Sequence, residues 1–214
     1  MADADSIKRA VVRVCEEMEH HADELTRLDS NAGDGDLGIN LLAGLRVLKA
    51  TVNSGFLSEV TDGAELITGA GKVIGEHAAS TFGTLLSQGV IAAGKALSAH
   101  GVTTGGRLGV GFRAALDMIK RRGKAEPGDG TMVDALEPAV QAIESGSSAS
   151  PSPDPHVALA SALDAARAGA ETTRNMRSTK GRARWSGTQG EGTIDPGALA
   201  VVYLLDAMAA RDKG

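Results

Sequence analysis

Apolar residues recur at intervals of three and four along most of this chain, and no convincing alternation of apolar and polar residues occurs anywhere. Such intervals match an α-helix, which turns once in about 3.6 residues, whereas a strand needs an interval of two. Between Ser6 and Leu28 the pattern forms one apolar stripe, made of Ile7, Val11, Val14, Met18, Ala22, Leu25 and Leu28. This segment is therefore predicted to be a long amphipathic helix.

Further segments repeat this pattern, separated mostly by short stretches rich in glycine, serine or proline. They cover residues 41–52, 64–78, 82–99, 103–122, 131–143, 157–170 and 195–208. Short links place consecutive helices side by side, so the sequence predicts an all-α fold, an antiparallel up-and-down bundle of about eight amphipathic helices. Residues 145–155 are few enough to be a loop within one domain, so residues 1–214 are expected to form a single domain.

Charge and aromatic content argue against one broad class of function. Lysine and arginine total 22 against 27 aspartates and glutamates, which gives a net charge of −5. The chain has one Trp, one Tyr and three Phe. A nucleic-acid surface needs positive charge or stacking platforms, so DNA or RNA binding is not expected.

The single cysteine and the N-terminal sequence indicate a compartment. Cys15 lies in the apolar stripe of the first helix without a second cysteine to pair with, so we expect a core residue in a reducing cytoplasm. The N-terminus lacks a basic region followed by an apolar run, and the most apolar segment, residues 198–210, is short and contains Asp206. Neither export nor membrane insertion is expected.

The most unusual chemistry lies in residues 29–40, which read DSNAGDGDLGIN. Asp29, Asp34 and Asp36 alternate with glycines that let the backbone turn the carboxylates toward one point. Oxygen ligands without nearby cysteine or histidine favour magnesium, manganese or calcium over zinc. An EF-hand calcium loop counted from Asp29 would need glycine and glutamate where Asp34 and Asn40 stand, so magnesium fits better. The simpler alternative is that Asp36 only caps the following helix.

The helix that follows this loop and a later irregular segment extend the candidate site. First-turn amides of a helix attract anions such as phosphate, so a metal and a phosphate would bind next to each other at the start of this helix. Residues 178–195 are glycine-containing and long for a connector, which is typical of a functional loop. Asp195 and Pro196 suit the N-cap and first position of the last helix, and capping alone could explain both.

Two other sets of polar residues can be explained without a functional site. His20 and His21 lack a further histidine at helical spacing, so they are interpreted as surface or boundary residues. A basic cluster ends the fifth helix, where complementarity to the helix dipole explains it as well as a partner surface does. The cluster consists of Lys120, Arg121, Arg122 and Lys124.

Four stretches, in this order along the chain, together resemble the L subunit, or nucleotide-binding domain, of the dihydroxyacetone kinases. They are Gly33-Asp34-Gly35-Asp36 with Asp29 upstream, Gly83-Thr84-Leu85-Leu86, the run from Arg122 to Met132, and Gly181-Arg182-Ala183 followed by Asp195-Pro196-Gly197. Any one of them is weak, whereas four in sequence are specific.

The resemblance implies an up-and-down helical barrel that binds ADP or ATP at one end. It implies a pair of magnesium ions held by Asp29, Asp34 and Asp36. It further implies phosphate contacts from Leu37, Gly38, Ile39 and Asn40 and from Ser80, Thr81, Phe82 and Gly83, an adenosine pocket lined by Gly123 and Met132, and closure by Arg182, Asp195, Pro196 and Gly197. Such a site positions the nucleotide and neutralises charge without a protein nucleophile.

The sequence also departs from other patterns. It contains no Gly-x-x-x-x-Gly-Lys-Ser/Thr run, so it is not a P-loop enzyme. Leu37 stands where the resembled family usually has histidine, Ser80-Thr81-Phe82-Gly83 replaces its common Gly-Ala-Ser-Gly, and Gln189 replaces an arginine. The altered Leu37 and Phe82 positions motivate a second hypothesis, a nucleotide-sensing regulatory or adaptor protein without catalysis. A third is a helical scaffold without a ligand.

The leading hypothesis is a phosphotransferase subunit that carries the nucleotide for a kinase of dihydroxyacetone or a related small ketose. Nothing in the sequence looks like a second, substrate-binding domain. The resemblance therefore implies a separate K-type subunit that holds the ketone covalently through a histidine. The donor is either free ATP or a phosphohistidine protein of the sugar phosphotransferase system that recharges bound ADP, and the sequence does not choose between them.

Overall fold

The computed structural model describes residues 4–99, 107–147, 154–176, 178, 180 and 192–210. Within these ranges the chain forms α-helices and one short 3-10 turn, Thr173–Asn175, and no strand. The helices are α1 (Ala4–Ala32), α2 (Leu37–Ser54), α3 (Gly63–His77), α4 (Thr81–Ala99), α5 (Arg107–Gly123), α6 (Met132–Ser147), α7 (Pro155–Thr172) and α8 (Pro196–Ala209). The all-α prediction is confirmed. None of the described helices combines the length and apolarity that a membrane span requires.

Helix α1 is longer than the apolar stripe predicted, since it continues past Leu28 to Ala32. The extra turn carries exposed polar residues, so the apolar pattern could not reveal it. In this turn the Ser30 hydroxyl donates to the carbonyl of Thr26 at 2.8 Å. Asp29 therefore projects from the last turn of a helix, and its backbone is more firmly placed than it would be in a loop.

The helices close into a ring, because each packs against the next one along the chain and α1 also packs against α8. At this closing contact the rings of His21 and Tyr203 stack with their centroids 3.7 Å apart. The Tyr203 hydroxyl donates to Glu24 at 2.6 Å. His21, expected at the surface or a boundary, is half-buried and takes part in the closing contact.

A continuous apolar core fills the ring with side chains from every described helix. Leu25, Leu66 and Leu116 are completely buried, and burying one such side chain contributes about 1.5–3 kcal/mol to folding. Cys15 lies in this core, as predicted. Burial raises the pKa of its thiol to about 12, so the thiol is not a nucleophile at neutral pH.

Small residues bring α3 and α4 close together. The buried hydroxyl of Ser87 on α4 donates to the carbonyl of Gly71 on α3 at 2.8 Å. A β-carbon at Gly94 would lie 2.7 Å from the backbone nitrogen of Thr68, so a larger residue there would push the helices apart. The two helices are therefore in close contact along much of their length.

The connections between helices alternate between the two ends of the ring, because neighbouring helices run antiparallel. The connections that follow α1, α3, α5 and α7 share one end, and those that follow α2, α4 and α6 share the other. The candidate site lies at the first of these ends.

Candidate functional site

The connections at this shared end converge on one cavity. Its wall draws on the α1–α2, α3–α4, α5–α6 and α7–α8 connections and on the adjoining helix ends. The described lining residues are Asp29, Gly33, Asp34, Asp36, Leu37, Ser80, Thr81, Phe82, Leu85, Ile119, Gly123, Ala125, Gly130, Thr131, Met132, Val133, Ser178, Lys180, Asp195, Pro196 and Gly197. One part of the wall is acidic, one is the start of a helix, and one is apolar.

Asp29, Asp34 and Asp36 form the acidic wall. Each offers one carboxylate oxygen, and these oxygens all lie within 4.8 Å of one another. Asp29 Oδ2 also accepts the backbone N–H of Asp36 at 2.9 Å and of Leu37 at 3.0 Å, so the end of α1 caps the start of α2. Asp36 occupies the N-cap position, but its side chain makes no capping hydrogen bond. The simpler alternative, that Asp36 only caps this helix, is therefore wrong.

Two glycines allow the three aspartates to meet. Gly35 has a φ of 73°, a conformation that residues with side chains rarely adopt. A β-carbon at Gly33 would lie 2.8 Å from Asp29 Oδ1. The spacing of glycine and aspartate in the sequence thus has a steric cause.

The electrostatics of this wall favour a bound cation. Burial raises the pKa of Asp36, and the negative charge of Asp29 raises it further, while a hydrogen bond with the Asn40 side chain opposes the shift. Carboxylates this close repel each other unless a positive charge lies between them. An oxygen-only cluster of three acids fits a hard cation such as Mg²⁺.

The start of α4 forms the second part of the wall. Ser80 Oγ accepts the backbone N–H of Gly83 at 3.0 Å and so caps this helix. A β-carbon at Gly83 would lie 2.3 Å from the Ala78 carbonyl oxygen, so the tight turn requires glycine. Thr81 and Phe82 of the first turn line the cavity. Helix amides at such a position attract phosphate.

The third part of the wall is apolar, which is typical of the part of a pocket that holds a flat base. Sequence reasoning implicated Gly123 and Met132 here and missed their apolar neighbours. Periodicity cannot separate a lining residue from a core residue on the same helix face, because both are apolar. The missed apolar residues are Leu85, Ile119, Ala125 and Val133.

Asp195 borders the cavity at the N-cap of α8. Its Oδ1 accepts the backbone N–H of Ala198 at 2.8 Å, which is the capping contact that the sequence suggested. Its own N–H donates to Thr173 Oγ1 at 2.9 Å. Burial raises the pKa of Asp195 to about 7, and the charges of Asp134 and Asp29 act in the same direction.

This pKa predicts how the stability of the protein free of metal and nucleotide depends on pH. Below about pH 4 the Asp195 carboxyl is protonated in both the folded and the unfolded chain. Between that pH and a pKa of about 7 only the folded chain keeps the proton, so the free energy of unfolding falls as pH rises. Asp36 contributes in the same direction. Urea unfolding across this range should show the decrease, and Asp195→Asn should make it shallower; an unchanged pH dependence in the variant would contradict the assignment.

Most of the nucleotide-contact positions implied by the resemblance line this cavity. Those that do are Leu37, Ser80, Thr81, Phe82, Gly123, Met132, Asp195, Pro196 and Gly197. Gly38, Ile39, Asn40 and Gly83 are absent from the lining. Arg182 and Gln189 lie outside the described residues.

The structure shows what surrounds each of the four positions that do not line the cavity. Gly38 packs against α1, since a β-carbon there would lie 2.1 Å from the Ala22 carbonyl oxygen. Ile39 is 62% exposed. Asn40 bonds to Asp36, and Gly83 serves the cap of α4.

The lining residues Gly130, Thr131, Ser178 and Lys180 were not named individually as site residues, although they lie within the run from Arg122 to Met132 and the loop of residues 178–195 that the sequence pointed to. Lys180 is the only lysine or arginine among the described lining residues, and its Nζ lies 3.4 Å from Asp129 Oδ2. It directly precedes Gly181-Arg182-Ala183, one of the stretches that carry the resemblance. That adjacency is the signal that could have found it.

The ring of antiparallel helices, the acidic cluster, the helix start and the apolar wall together define an all-helical protein whose cavity is suited to a metal-bound nucleotide. The chain belongs to the DAK2 domain family, whose model matches residues 31–210.

Known proteins similar to this chain include both separate subunits and parts of longer chains. The ADP-binding subunit DhaL of the PEP-dependent dihydroxyacetone kinase of Escherichia coli (strain K12) is 34% identical over 195 residues, which are 88% of this chain and 88% of that subunit. The D-erythrulose kinase of Mycolicibacterium smegmatis is 32% identical over 208 residues, 97% of this chain but 35% of that enzyme.

A solved structure shares the fold. The crystal structure of the dihydroxyacetone kinase from C. freundii in complex with AMP-PNP and Mg²⁺ superposes with a TM-score of 0.70 at 29% identity. The match covers 94% of this chain and 33% of that kinase. This chain therefore corresponds in length to about a third of that enzyme and to nearly all of the E. coli subunit.

Proposed function

We propose that this chain is the ADP- or ATP-binding L-type subunit of a kinase for dihydroxyacetone or a related small ketose. The observation that carries the proposal is the convergence of three aspartates, the start of α4 and an apolar wall on one cavity. These features match the metal, the phosphates and the base of a nucleotide. The names of the relatives, an ADP-binding subunit and an erythrulose kinase, support the same class of reaction.

In this proposal each part of the wall has one task. Asp29, Asp34 and Asp36 would hold a pair of Mg²⁺ ions, which supply positive charge to neutralise the phosphates. The first-turn amides of α4, beside Thr81 and Phe82, orient the phosphates, and the apolar wall binds the base. The phosphoryl group then moves to an acceptor held by another chain, without a nucleophile from this one.

The proposal includes a partner and a donor. Residues 1–214 act as a single nucleotide-binding domain, supported by one apolar core to which every described helix contributes. A separate K-type subunit, in the same cytoplasm, presents the ketone to the cavity. The donor is ATP, or a phosphohistidine carrier that recharges bound ADP; a relative named as PEP-dependent supports the second route.

Catalysis can be tested by mixing the protein with a K-type subunit and dihydroxyacetone. We expect sugar phosphate to form with Mg²⁺–ATP, or with ADP plus a phosphohistidine carrier system, and not when this chain or Mg²⁺ is left out. Enzymatic detection of dihydroxyacetone phosphate measures the product. Tight binding of Mg²⁺–ADP without product from either donor would instead support a nucleotide sensor. Failure to bind any nucleotide in equilibrium dialysis would overturn both.

A further inference from the structure

Asp134, in the first turn of α6, is a buried carboxylate that the proposed function leaves without a task. It is 6% exposed and does not line the cavity. Its Oδ1 accepts the backbone N–H of Gly128 at 2.5 Å, and its Oδ2 accepts the backbone N–H of Thr131 at 2.7 Å. One buried side chain thus holds two points of the α5–α6 connection.

Helix capping explains only one of these contacts. A side chain in the first turn that accepts the N–H of the N-cap residue, here Thr131, is half of a capping box. Gly128 lies three positions before the cap, outside any helix, so the second hydrogen bond does not serve α6. Charge-assisted hydrogen bonds of this kind are roughly twice as strong as neutral ones.

The glycine loop, residues 126–131, is the segment that Asp134 holds. Gly128 and Gly130 have φ values of 96° and 67°, which side-chain-bearing residues rarely adopt. Asp129 Oδ2 accepts the N–H of Glu126 at 2.9 Å and lies 3.4 Å from Nζ of the lining residue Lys180. The loop is therefore tied both to α6 and to the segment before α8.

The end of this loop forms part of the cavity wall. Gly130 and Thr131 line the cavity, and Met132, the first residue of α6, lines it beside them. A β-carbon at Gly130 would lie 3.2 Å from Cα of Ser178, another lining residue, so the two sides of the wall touch here. A shift of the glycine loop would therefore displace Gly130, Thr131 and Met132, the part of the wall that adjoins the apolar side of the cavity.

We propose that Asp134 is a positioning residue for the nucleotide: it holds the glycine loop in the conformation that receives the nucleoside, and it does not touch the nucleotide itself. This inference rests on the proposed function. Asn at this position would offer one acceptor oxygen in place of two, and its NH₂ group would face a backbone N–H. The loop would then lose one of its two anchors while the acidic wall on the α1–α2 side keeps its contacts.

The test compares two ligands at a temperature where each variant is folded. Calorimetry gives the dissociation constants of ADP and of inorganic pyrophosphate, both with Mg²⁺, for the parent protein and for Asp134→Asn. We expect the ADP constant to rise at least about tenfold and the pyrophosphate constant to stay within about twofold. The matched control is Asp62→Asn, since Asp62 caps α3 at the far end of the ring through the N–H of Glu65; both constants should stay unchanged.

A second variant keeps the inference testable if Asp134→Asn does not fold. Gly128→Ala meets nothing within 4 Å and disturbs the loop only through its positive φ, so the same selective loss of ADP binding is expected. An unchanged ADP constant, or an equal loss of both ligands, would overturn the positioning role. Absence of Mg²⁺–ADP binding by the parent protein would instead overturn the proposed function.

Discussion

Asp34→Asn and Asp36→Asn are each expected to weaken the binding of Mg²⁺–ADP by at least about a hundredfold, or about 2.7 kcal/mol. Each substitution removes one of three carboxylates whose oxygens lie within 4.8 Å of one another. Nucleotide at about a hundred times its dissociation constant stabilises the parent protein by roughly 2.7 kcal/mol. Thermal unfolding should then show a shift of roughly 5–10 °C in the parent and almost none in the variants.

When EDTA removes the metal, Asp36→Asn is not expected to lower the stability of the protein. Burial and the charge of Asp29 disfavour the ionised form of Asp36, so Asp36→Asn should be at least as stable as the parent without metal. Asp23→Asn, which neutralises an exposed acid on α1 away from the cavity, is the charge-matched control and should keep the full shift. A full thermal shift with Mg²⁺–ADP in both Asp34→Asn and Asp36→Asn would contradict the assignment of these residues as metal ligands.

Gly38→Ala is expected to lower the free energy of unfolding by about 1–3 kcal/mol, as overpacking typically does. A β-carbon at this position would lie 2.1 Å from the carbonyl oxygen of Ala22 and 2.4 Å from Oγ1 of Thr26, so α2 must move away from α1. The change runs against the intrinsic preference of helices for alanine over glycine, about 1 kcal/mol. Urea unfolding measures the loss.

Gly111→Ala is the control, because it makes the same change inside α5 where a β-carbon finds its nearest neighbour at 3.5 Å. It should stabilise the protein by about 0.5–1 kcal/mol. If Gly38→Ala kept full stability and lost only nucleotide binding, Gly38 would be a phosphate contact, as the resemblance implied, and the packing explanation would be wrong.

The helices could be predicted because the fold depends on a period that the sequence displays. Each predicted segment is helical in its described residues, and residues 103–106 of the fifth segment lie outside them; the helix ends differ from the predicted ones by up to four residues, as at Ala32 and Leu37. The last turn of α1 carries Ser30 and Asn31, which face solvent and leave no apolar signal. The end of α1 could therefore be located only from the backbone of the structure. The same backbone shows that Asp29 belongs to this helix.

Site residues could be predicted where their pattern is unusual for residues with a purely structural role. They could not be predicted where the same residue types also fill an apolar core. Aspartates between glycines stood out, and the structure brings Asp29, Asp34 and Asp36 together. Leu85 and Val133 line the cavity yet look like any core residue. The resemblance implied a phosphate contact at Gly38, and the structure shows this glycine packed against α1; a sequence cannot separate a glycine needed for a ligand from one needed for a neighbouring helix.

Helices α1 and α8 both have their outer ends, at Ala4 and Ala209, on the face opposite the cavity. At about 1.5 Å per residue, α1 with its 29 residues and α8 with its 14 place these ends tens of ångströms from the mouth. An affinity tag, a surface tether or a fused catalytic module attached at either end would leave the mouth open to a docking protein. Immobilisation through these ends is therefore the orientation in which capture of a partner should succeed.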